Sequence, residues 1–122
     1  MNHKVLIVED NLANRTLLRD VLLHYGFDTL EAVNGLEGIR MAREARPDVI
    51  LMDLQMPVMN GYSAIEVLKA DPVTRDMKII AVTSFAMTGD REKVMATGAD
   101  EYIAKPIDTR KLPEIIKNII SE

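Results

Sequence analysis

The chain has 122 residues, of which 48% are hydrophobic and 28% are charged, and this length suits one domain spanning residues 1–122. It contains no cysteine, which excludes disulfide frameworks, cysteine metal sites and thiol catalysis. The net charge of −4 argues against nucleic acid as a direct partner, and no apolar run approaches the ~20 residues of a membrane span, so a cytoplasmic protein without membrane contact is expected.

Short apolar runs alternate along the chain with segments of helical length. Three runs are continuously apolar, as expected of parallel strands covered on both faces: Val5–Val8, Val49–Met52 and Ile79–Val82. Two weaker runs, the half-polar Asp28–Ala32 and the short Tyr102–Ala104, suit strands at the edges of a sheet. The alternation therefore predicts an α/β domain with a five-stranded parallel sheet between layers of helices.

Five helices are predicted around these strands. They cover about Leu12–Tyr25, a segment from near Gly35 to before Pro47, Gly61–Ala70, a segment from after Thr88 to Gly98, and a C-terminal helix with Pro113 in its first turn. Apolar residues recur at helical spacing as Leu17, Leu18, Val21, Leu22 and Tyr25, as Leu36, Ile39 and Ala42, and as Ile115, Ile116, Ile119 and Ile120. The fourth helix has only Val94, Met95 and Ala96 for an apolar face, which is equally consistent with a mobile element and with a plain surface helix.

Polar side chains follow four of the five predicted strands. Glu9 and Asp10 follow the first strand, Asp53 the third, Thr83 the fourth and Lys105 the last. Taken singly, each of these residues suits a helix cap, a strand threonine or a solvated charge. Because the carboxyl ends of parallel strands meet at one edge of a sheet, we expect the five side chains to lie together as a ligand site.

This combination of groups indicates phosphoryl transfer. Three neighbouring carboxylates repel one another, and oxygen ligands of this kind select a hard cation such as Mg²⁺. An Asp carboxylate beside Mg²⁺ can attack a phosphoryl group and form an acyl phosphate, while Lys105 neutralises charge and Thr83 donates a hydrogen bond. Asp53 is predicted to be the nucleophile because it stands alone after a buried strand, whereas Glu9 and Asp10 form an adjacent pair suited to holding metal.

Four segments together carry a highly specific resemblance to a known family. They are VLIVEDN (Val5–Asn11), PDVILMDLQMPVMNG (Pro47–Gly61), AVTSFA (Ala81–Ala86) and YIAKPI (Tyr102–Ile107), in this order. Over essentially its whole length, the chain resembles the receiver domain of bacterial two-component response regulators, of the stand-alone type. The resemblance implies a flavodoxin-like, doubly wound sheet of strand order 2-1-3-4-5 with five helices.

The resemblance also implies roles for the residues at the sheet edge. Asp53 would be the phosphoryl acceptor, and Mg²⁺ would be held by Asp10, Asp53, the backbone carbonyl of Gln55 and, through water, Glu9. Thr83 would be the switch threonine that moves toward the phosphoryl group.

Three further residues in the last motif have family roles. Lys105 would be the family's lysine, joined to Pro106 by a cis peptide bond. Tyr102 would be the switch aromatic that turns inward on phosphorylation, changing the face formed by helix 4, strand 5 and helix 5.

Partners and phosphate lifetime follow by the same resemblance. The donor would be a phosphohistidine on a histidine kinase or histidine phosphotransfer protein, docking beside the first helix at Leu12, Arg15 and Arg19, although a plain solvated face is the alternative. A downstream protein target would recognise the switched form. Gln55 and Phe85 occupy positions that tune phosphate lifetime in this family, and we expect Phe85 to shield the acyl phosphate from water.

The sequence thus predicts a signalling switch or phosphorelay intermediate that is no enzyme beyond its own phosphorylation and dephosphorylation. A flavodoxin-like, nucleotide-binding electron carrier is one alternative, but its phosphate loop would lack the acidic Glu9 and Asp10. A Mg²⁺-dependent phosphatase would carry its nucleophile after the first strand. A receiver fragment of a hybrid histidine kinase is the third alternative, against which the initial Met1 and the last helix argue mildly.

Overall fold

The structure is a computed structural model that describes residues 2–84 and 90–121. Strands and helices alternate in it as the sequence predicts. The strands are β1 (Lys4–Val8), β2 (Asp28–Ala32), β3 (Val49–Asp53), β4 (Lys78–Thr83) and β5 (Glu101–Ala104), and the helices are α1 (Leu12–His24), α2 (Gly35–Ala45), α3 (Gly61–Ala70), α4 (Asp90–Met95) and α5 (Leu112–Ile120).

The five strands form one parallel sheet in the order β2-β1-β3-β4-β5, which confirms the predicted flavodoxin-like fold. In the register of β1 with β3, Val8 pairs with Met52, and in that of β3 with β4, Asp53 pairs with Val82. The carboxyl ends of the three central strands therefore lie side by side. Every connection in such a sheet crosses over through a helix, so the loops that follow the strands gather at one edge.

A hydrophobic core lies on each face of the sheet. Alternate strand residues such as Leu6, Ile50 and Ile79 pack with α2, α3 and α4 on one face. Their neighbours Ile7 and Leu51 pack with α1 and α5 on the other. A fully buried Ile or Leu side chain contributes ~1.5–3 kcal/mol, so the central strands are held firmly between two helical layers.

Asparagine begins each of the first three helices. The side-chain oxygens of Asn11, Asn34 and Asn60 each accept the N–H of the residue three positions later, which satisfies a free donor in the first helical turn. These caps hold the starts of α1, α2 and α3 at the same sheet edge as the polar residues. The last helix begins at Leu112 with Pro113 in its first turn, as predicted.

The predicted apolar faces of α1 and α2 are partly wrong. Leu18 and Leu22 of α1 are buried, but Leu17 and Tyr25 remain exposed. Leu36 of α2 is also exposed, because α2 packs through small residues, namely Gly35, Gly38 and Ala42. A Cβ on Gly38 would lie 2.9 Å from the Val8 side chain, so the helix axis comes too close to the sheet for a stripe of larger residues.

The fourth helix is shorter than predicted and ends at Met95 rather than Gly98. Its buried anchor is Val94, whereas Ala96 is exposed. Mobility of this helix stays a prediction. Among the helices of the described residues, none is long and apolar enough to cross a membrane.

Val58, in the loop between β3 and α3, has a φ of 71° and a largely exposed side chain. Left-handed backbone is unfavourable for a β-branched residue, and the strain costs ~1–2 kcal/mol. Val58→Gly is therefore expected to raise the free energy of unfolding by about 1 kcal/mol, since strain relief exceeds the added entropy of the unfolded chain. Urea denaturation measures this, with Val73→Gly, at an exposed valine of ordinary φ, as the destabilised control. A lower free energy of unfolding for Val58→Gly than for the parent chain would contradict backbone strain at Val58.

Candidate active site at the carboxyl edge of the sheet

The four strand ends bring the predicted residues together. Glu9 directly follows β1, Asp53 ends β3, Thr83 ends β4, and Lys105 directly follows β5. Glu9, Asp53 and Thr83 are almost completely buried, with at most 3% of their surface exposed. Buried carboxylates need partners, because an uncompensated charge away from water is costly. The partners of Glu9 and Asp53 define the site.

Lys105 joins the two buried carboxylates. Its Nζ donates to Glu9 Oε1 at 3.0 Å and to Asp53 Oδ2 at 3.2 Å. Burial alone would lower the pKa of the Lys105 ammonium, but the hydrogen bonds and negative charges of Glu9 and Asp53 outweigh burial and hold this pKa above its ordinary value. Lys105 is therefore a cation at neutral pH.

The three carboxylates lie close enough to share one cation. Glu9, Asp10 and Asp53 each offer an oxygen, and these oxygens lie within 4.8 Å of one another, with Asp10 exposed at the mouth of the site. One ammonium against three carboxylates leaves a charge near −2. Such an oxygen donor set with surplus negative charge fits a hard divalent cation. The cluster could therefore bind Mg²⁺.

The sequence analysis names Gln55 as a backbone metal ligand and as a position that tunes phosphate lifetime, but it does not predict the bridge that the Gln55 side chain makes. The Gln55 backbone N–H donates to Asp53 Oδ1 at 3.0 Å. Its side-chain amide donates to Thr83 Oγ1 at 3.1 Å and accepts the Ser84 N–H at 2.9 Å. The amide thus bridges the loop after β3 to the end of β4. Only the position of Gln55, two residues after Asp53, offered a signal for this bridge.

The remaining residues to which the resemblance gives roles are Tyr102, Pro106 and Phe85. Tyr102 lies on β5, half-buried against the core on the α4 side. The Lys105–Pro106 peptide bond is cis, as expected. Phe85 lies outside the described residues.

The predicted exposed face on α1 is wrong for Arg15. Its side chain is only 13% exposed and pairs with Glu31 of β2 at 3.1 Å, because the helix start lies over the edge strand. Leu12 is 67% exposed, and Arg19 is partly exposed.

A five-stranded parallel sheet of this order with acidic residues, a threonine and a lysine at its carboxyl edge defines the receiver class of signalling domain. The family model of the response regulator receiver domain matches residues 5–117. The chain therefore belongs to the response regulator receiver family. Members of this family are phosphorylation-dependent switches of two-component systems, in which they interact with histidine kinases and downstream targets.

Individual relatives agree with this family. The chain is 43% identical to the polar-differentiation response regulator DivK of Brucella anthropi, over 100% of this chain and 99% of the relative. It is also similar to the receiver domain of the sensor histidine kinase PA1611 of Pseudomonas aeruginosa, described with a magnesium ion coordinated in its active site cleft, with 35% identity, a TM-score of 0.92 and 100% of both chains covered. The chemotaxis protein CheY4 of Vibrio cholerae has 26% identity and a TM-score of 0.91, with 98% of this chain and 99% of that chain covered.

Proposed function

We propose that the chain is a signalling switch in which Asp53 accepts a phosphoryl group from a phosphohistidine in a Mg²⁺-dependent reaction. The observation that carries this proposal is the buried Asp53 carboxylate at the end of β3, in contact with Lys105 and grouped with Glu9 and Asp10. A carboxylate so placed has a cation on one oxygen and two more acids beside it. This arrangement suits acyl phosphate formation rather than an electron carrier's phosphate loop, which needs uncharged N–H donors.

In the proposed step, an Asp53 oxygen attacks phosphorus and forms the P–O bond of an acyl phosphate. The bond from phosphorus to the donor imidazole nitrogen breaks, and that nitrogen keeps the electron pair. No base is required, since a carboxylate nucleophile has no proton to lose. Lys105 stabilises the negative charge on the phosphoryl oxygens as the group is transferred. Self-phosphorylation from a small acyl phosphate follows the same course with a carboxylate as the leaving group.

Mg²⁺ would be held by Asp10, Asp53 and the backbone carbonyl of Gln55, with Glu9 reaching it through water. When bound, Mg²⁺ neutralises charge on the transferring phosphoryl group. The support for this assignment is the group of three carboxylate oxygens and their surplus negative charge. The magnesium described for the receiver domain of PA1611 adds to it.

Mg²⁺ is expected to stabilise the folded chain, because it binds the folded cluster and not the dispersed carboxylates. At about 100 times its dissociation constant, the free energy of unfolding should rise by ~2.7 kcal/mol. Asp10→Asn should remove most of this gain. The matched control is Asp76→Asn, at an exposed carboxylate in the loop before β4. Thermal unfolding with and without Mg²⁺ measures the effect, and equal gains in both variants would contradict the site.

The switch would operate through Thr83 and Tyr102. The Thr83 hydroxyl would donate to a phosphoryl oxygen, and Gln55, which contacts Thr83 and the Ser84 N–H, would have to release them. Movement of Thr83 toward Asp53 would leave room beside β4 for Tyr102, which is half-buried on the neighbouring β5. The altered surface of α4, β5 and α5 would then be read by a downstream protein.

The donor protein would dock in the groove beside α1. This groove of about 430 Å³ runs from Lys105 past the apolar side chains of Leu17, Leu18, Pro106 and Ile107. Leu17 is half-exposed there, which suits an apolar helix of a kinase or phosphotransfer protein carrying its histidine toward Asp53.

Similarity to a receiver domain of a sensor histidine kinase favours a second candidate function, in which the chain is a receiver that passes the phosphoryl group on within a relay.

Intact mass spectrometry after incubation with acetyl phosphate tests the proposed function. One added phosphoryl group is expected with Mg²⁺, and none with a chelator or in Asp53→Asn. Addition to Asp53→Asn at the rate of the parent chain would overturn Asp53 as the acceptor. If no addition is seen, beryllofluoride binding followed by NMR distinguishes rapid decay, which preserves the proposal, from a site that takes no phosphoryl group.

A further inference from the structure

Arg15 ties the loop that carries the acidic pair to the edge of the sheet. It lies in the first part of α1, and its Nη1 donates to the backbone carbonyl of Glu9 at 2.9 Å. Its Nε donates to Glu31 Oε1 on β2 at 3.1 Å. The guanidinium therefore spans from the edge strand to the main chain between Glu9 and Asp10.

The Glu9 main chain is held from two sides. Its N–H donates to the carbonyl of Ala32 at 3.1 Å, and its carbonyl accepts from Arg15. The Glu9 side chain is fixed as well, by Lys105 and by the Asn11 N–H. Arg15 therefore contacts the peptide unit that joins Glu9 to Asp10, at the point where the chain leaves β1.

Arginine suits this position because of the geometry of its guanidinium rather than because of its positive charge. A planar guanidinium presents donors in fixed directions, so Nε and Nη1 reach two acceptors on different elements, which a single ammonium on a flexible stem does less well. Glu31 neutralises Arg15, so little net positive charge faces the acids. The neighbouring Arg19 also approaches Glu31, at 3.8 Å, but its Nε donates to Asp20 rather than to the Glu9 main chain.

We propose that Arg15, oriented by Glu31, is a positioning residue for the metal site, which fixes the Glu9–Asp10 main chain so that the three carboxylates converge on Mg²⁺. The inference rests on the proposed metal site. It acts through geometry and not through charge. Groups that orient metal ligands typically change affinity by 10–100-fold when they are removed.

If Arg15 acts through geometry, its removal weakens Mg²⁺ binding, whereas if it acts through charge, its removal tightens Mg²⁺ binding. The sign of the change in affinity therefore tests the inference. Removing a cation near an acidic site tightens Mg²⁺ binding if charge alone matters. Arg15→Met is instead expected to weaken Mg²⁺ binding at least about tenfold, because the loop is no longer fixed. Arg15→Lys keeps the charge and should also weaken binding, by several-fold. Arg19→Met, which removes the same charge from the same helix and the same ion-pair partner, should leave binding unchanged or slightly tighter.

Calorimetric titration with Mg²⁺ alone measures these affinities, at a temperature where thermal unfolding shows every variant to be folded. Arg15→Lys carries the test if Arg15→Met does not fold. An Arg15→Lys dissociation constant within twofold of the parent chain would overturn the inference, even if the variant unfolds at lower temperature. If the parent chain itself binds no Mg²⁺, the proposed metal site fails, and the inference about Arg15 fails with it.

Discussion

Replacing Lys105 by methionine is expected to slow phosphorylation of the chain by acetyl phosphate by about 10²–10³-fold, the loss that follows removal of one preorganised donor to a developing charge. The Nζ of Lys105 donates to Asp53 Oδ2 at 3.2 Å, so it lies beside the carboxylate that is proposed to accept the phosphoryl group. Methionine retains the length and apolar stem of the side chain and removes only the donor. Time courses of intact mass give the rate.

The same substitution is expected to destabilise the metal-free chain by about 3 kcal/mol, because it leaves two buried carboxylates without their cation. Mg²⁺ should restore part of this loss, since it can take over the charge compensation. Lys117→Met, at an exposed lysine of α5, is the matched control and should change neither the rate nor the stability. A Lys105→Met variant that is phosphorylated at the parent rate would contradict the role of Lys105.

The raised pKa of Lys105 gives the stability effect a pH signature. A cation whose pKa is higher in the folded chain stabilises it fully below the unfolded value of ~10.4 and loses that contribution as the pH rises through the folded value. The stability difference between the parent chain and Lys105→Met should therefore be constant near neutral pH and shrink above about pH 10.

Replacing Gly61 by alanine is expected to lower the free energy of unfolding by about 2–3 kcal/mol and to slow phosphorylation by about 10²-fold. Gly61 begins α3, and its N–H donates to the Leu54 carbonyl at 3.2 Å. A Cβ on Gly61 would lie 2.7 Å from the Leu54 Cα and closer still to the Asp53 carbonyl oxygen. Both atoms belong to the main chain, so the end of β3 has to move, and Asp53 moves with it.

Gly26→Ala provides the control for this substitution. Gly26 has a φ of 89°, and a Cβ there would meet no atom within 4 Å. Alanine at Gly26 should cost about 1 kcal/mol of left-handed strain and leave the phosphorylation rate unchanged, because the position is remote from the sheet edge that carries Asp53. If Gly61→Ala behaved like Gly26→Ala in both measurements, the close approach of α3 to Asp53 would be contradicted.

The fold and the main site residues could be predicted because both depend on local patterns. Continuous apolar runs identify the central strands, and the polar residue after each run lies at the common edge of a parallel sheet. Asp53 and Thr83 are the last residues of β3 and β4, so their placement follows directly from the strand bounds. The order of the strands did not follow from periodicity and came from the family resemblance.

The remaining parts of the site depend on long-range contacts that no local pattern encodes. Arg15 has the spacing of a solvated helix residue, and only the position of β2 beside β1 brings Glu31 against it. The bridge from Gln55 to Thr83 likewise joins residues 28 positions apart. The exposure of Leu36 reflects the small residues through which α2 approaches the sheet, which a count of apolar positions does not reveal.

Borohydride reduction after phosphorylation tests the phosphoryl assignment most directly, because it converts an aspartyl phosphate to homoserine and leaves a free aspartate unchanged. Peptide mapping of the chain treated with acetyl phosphate and Mg²⁺ should find homoserine at position 53, and none when Mg²⁺ is chelated. Homoserine at Asp10, or a phosphoryl group that resists borohydride, would show that the acceptor is not the Asp53 carboxylate.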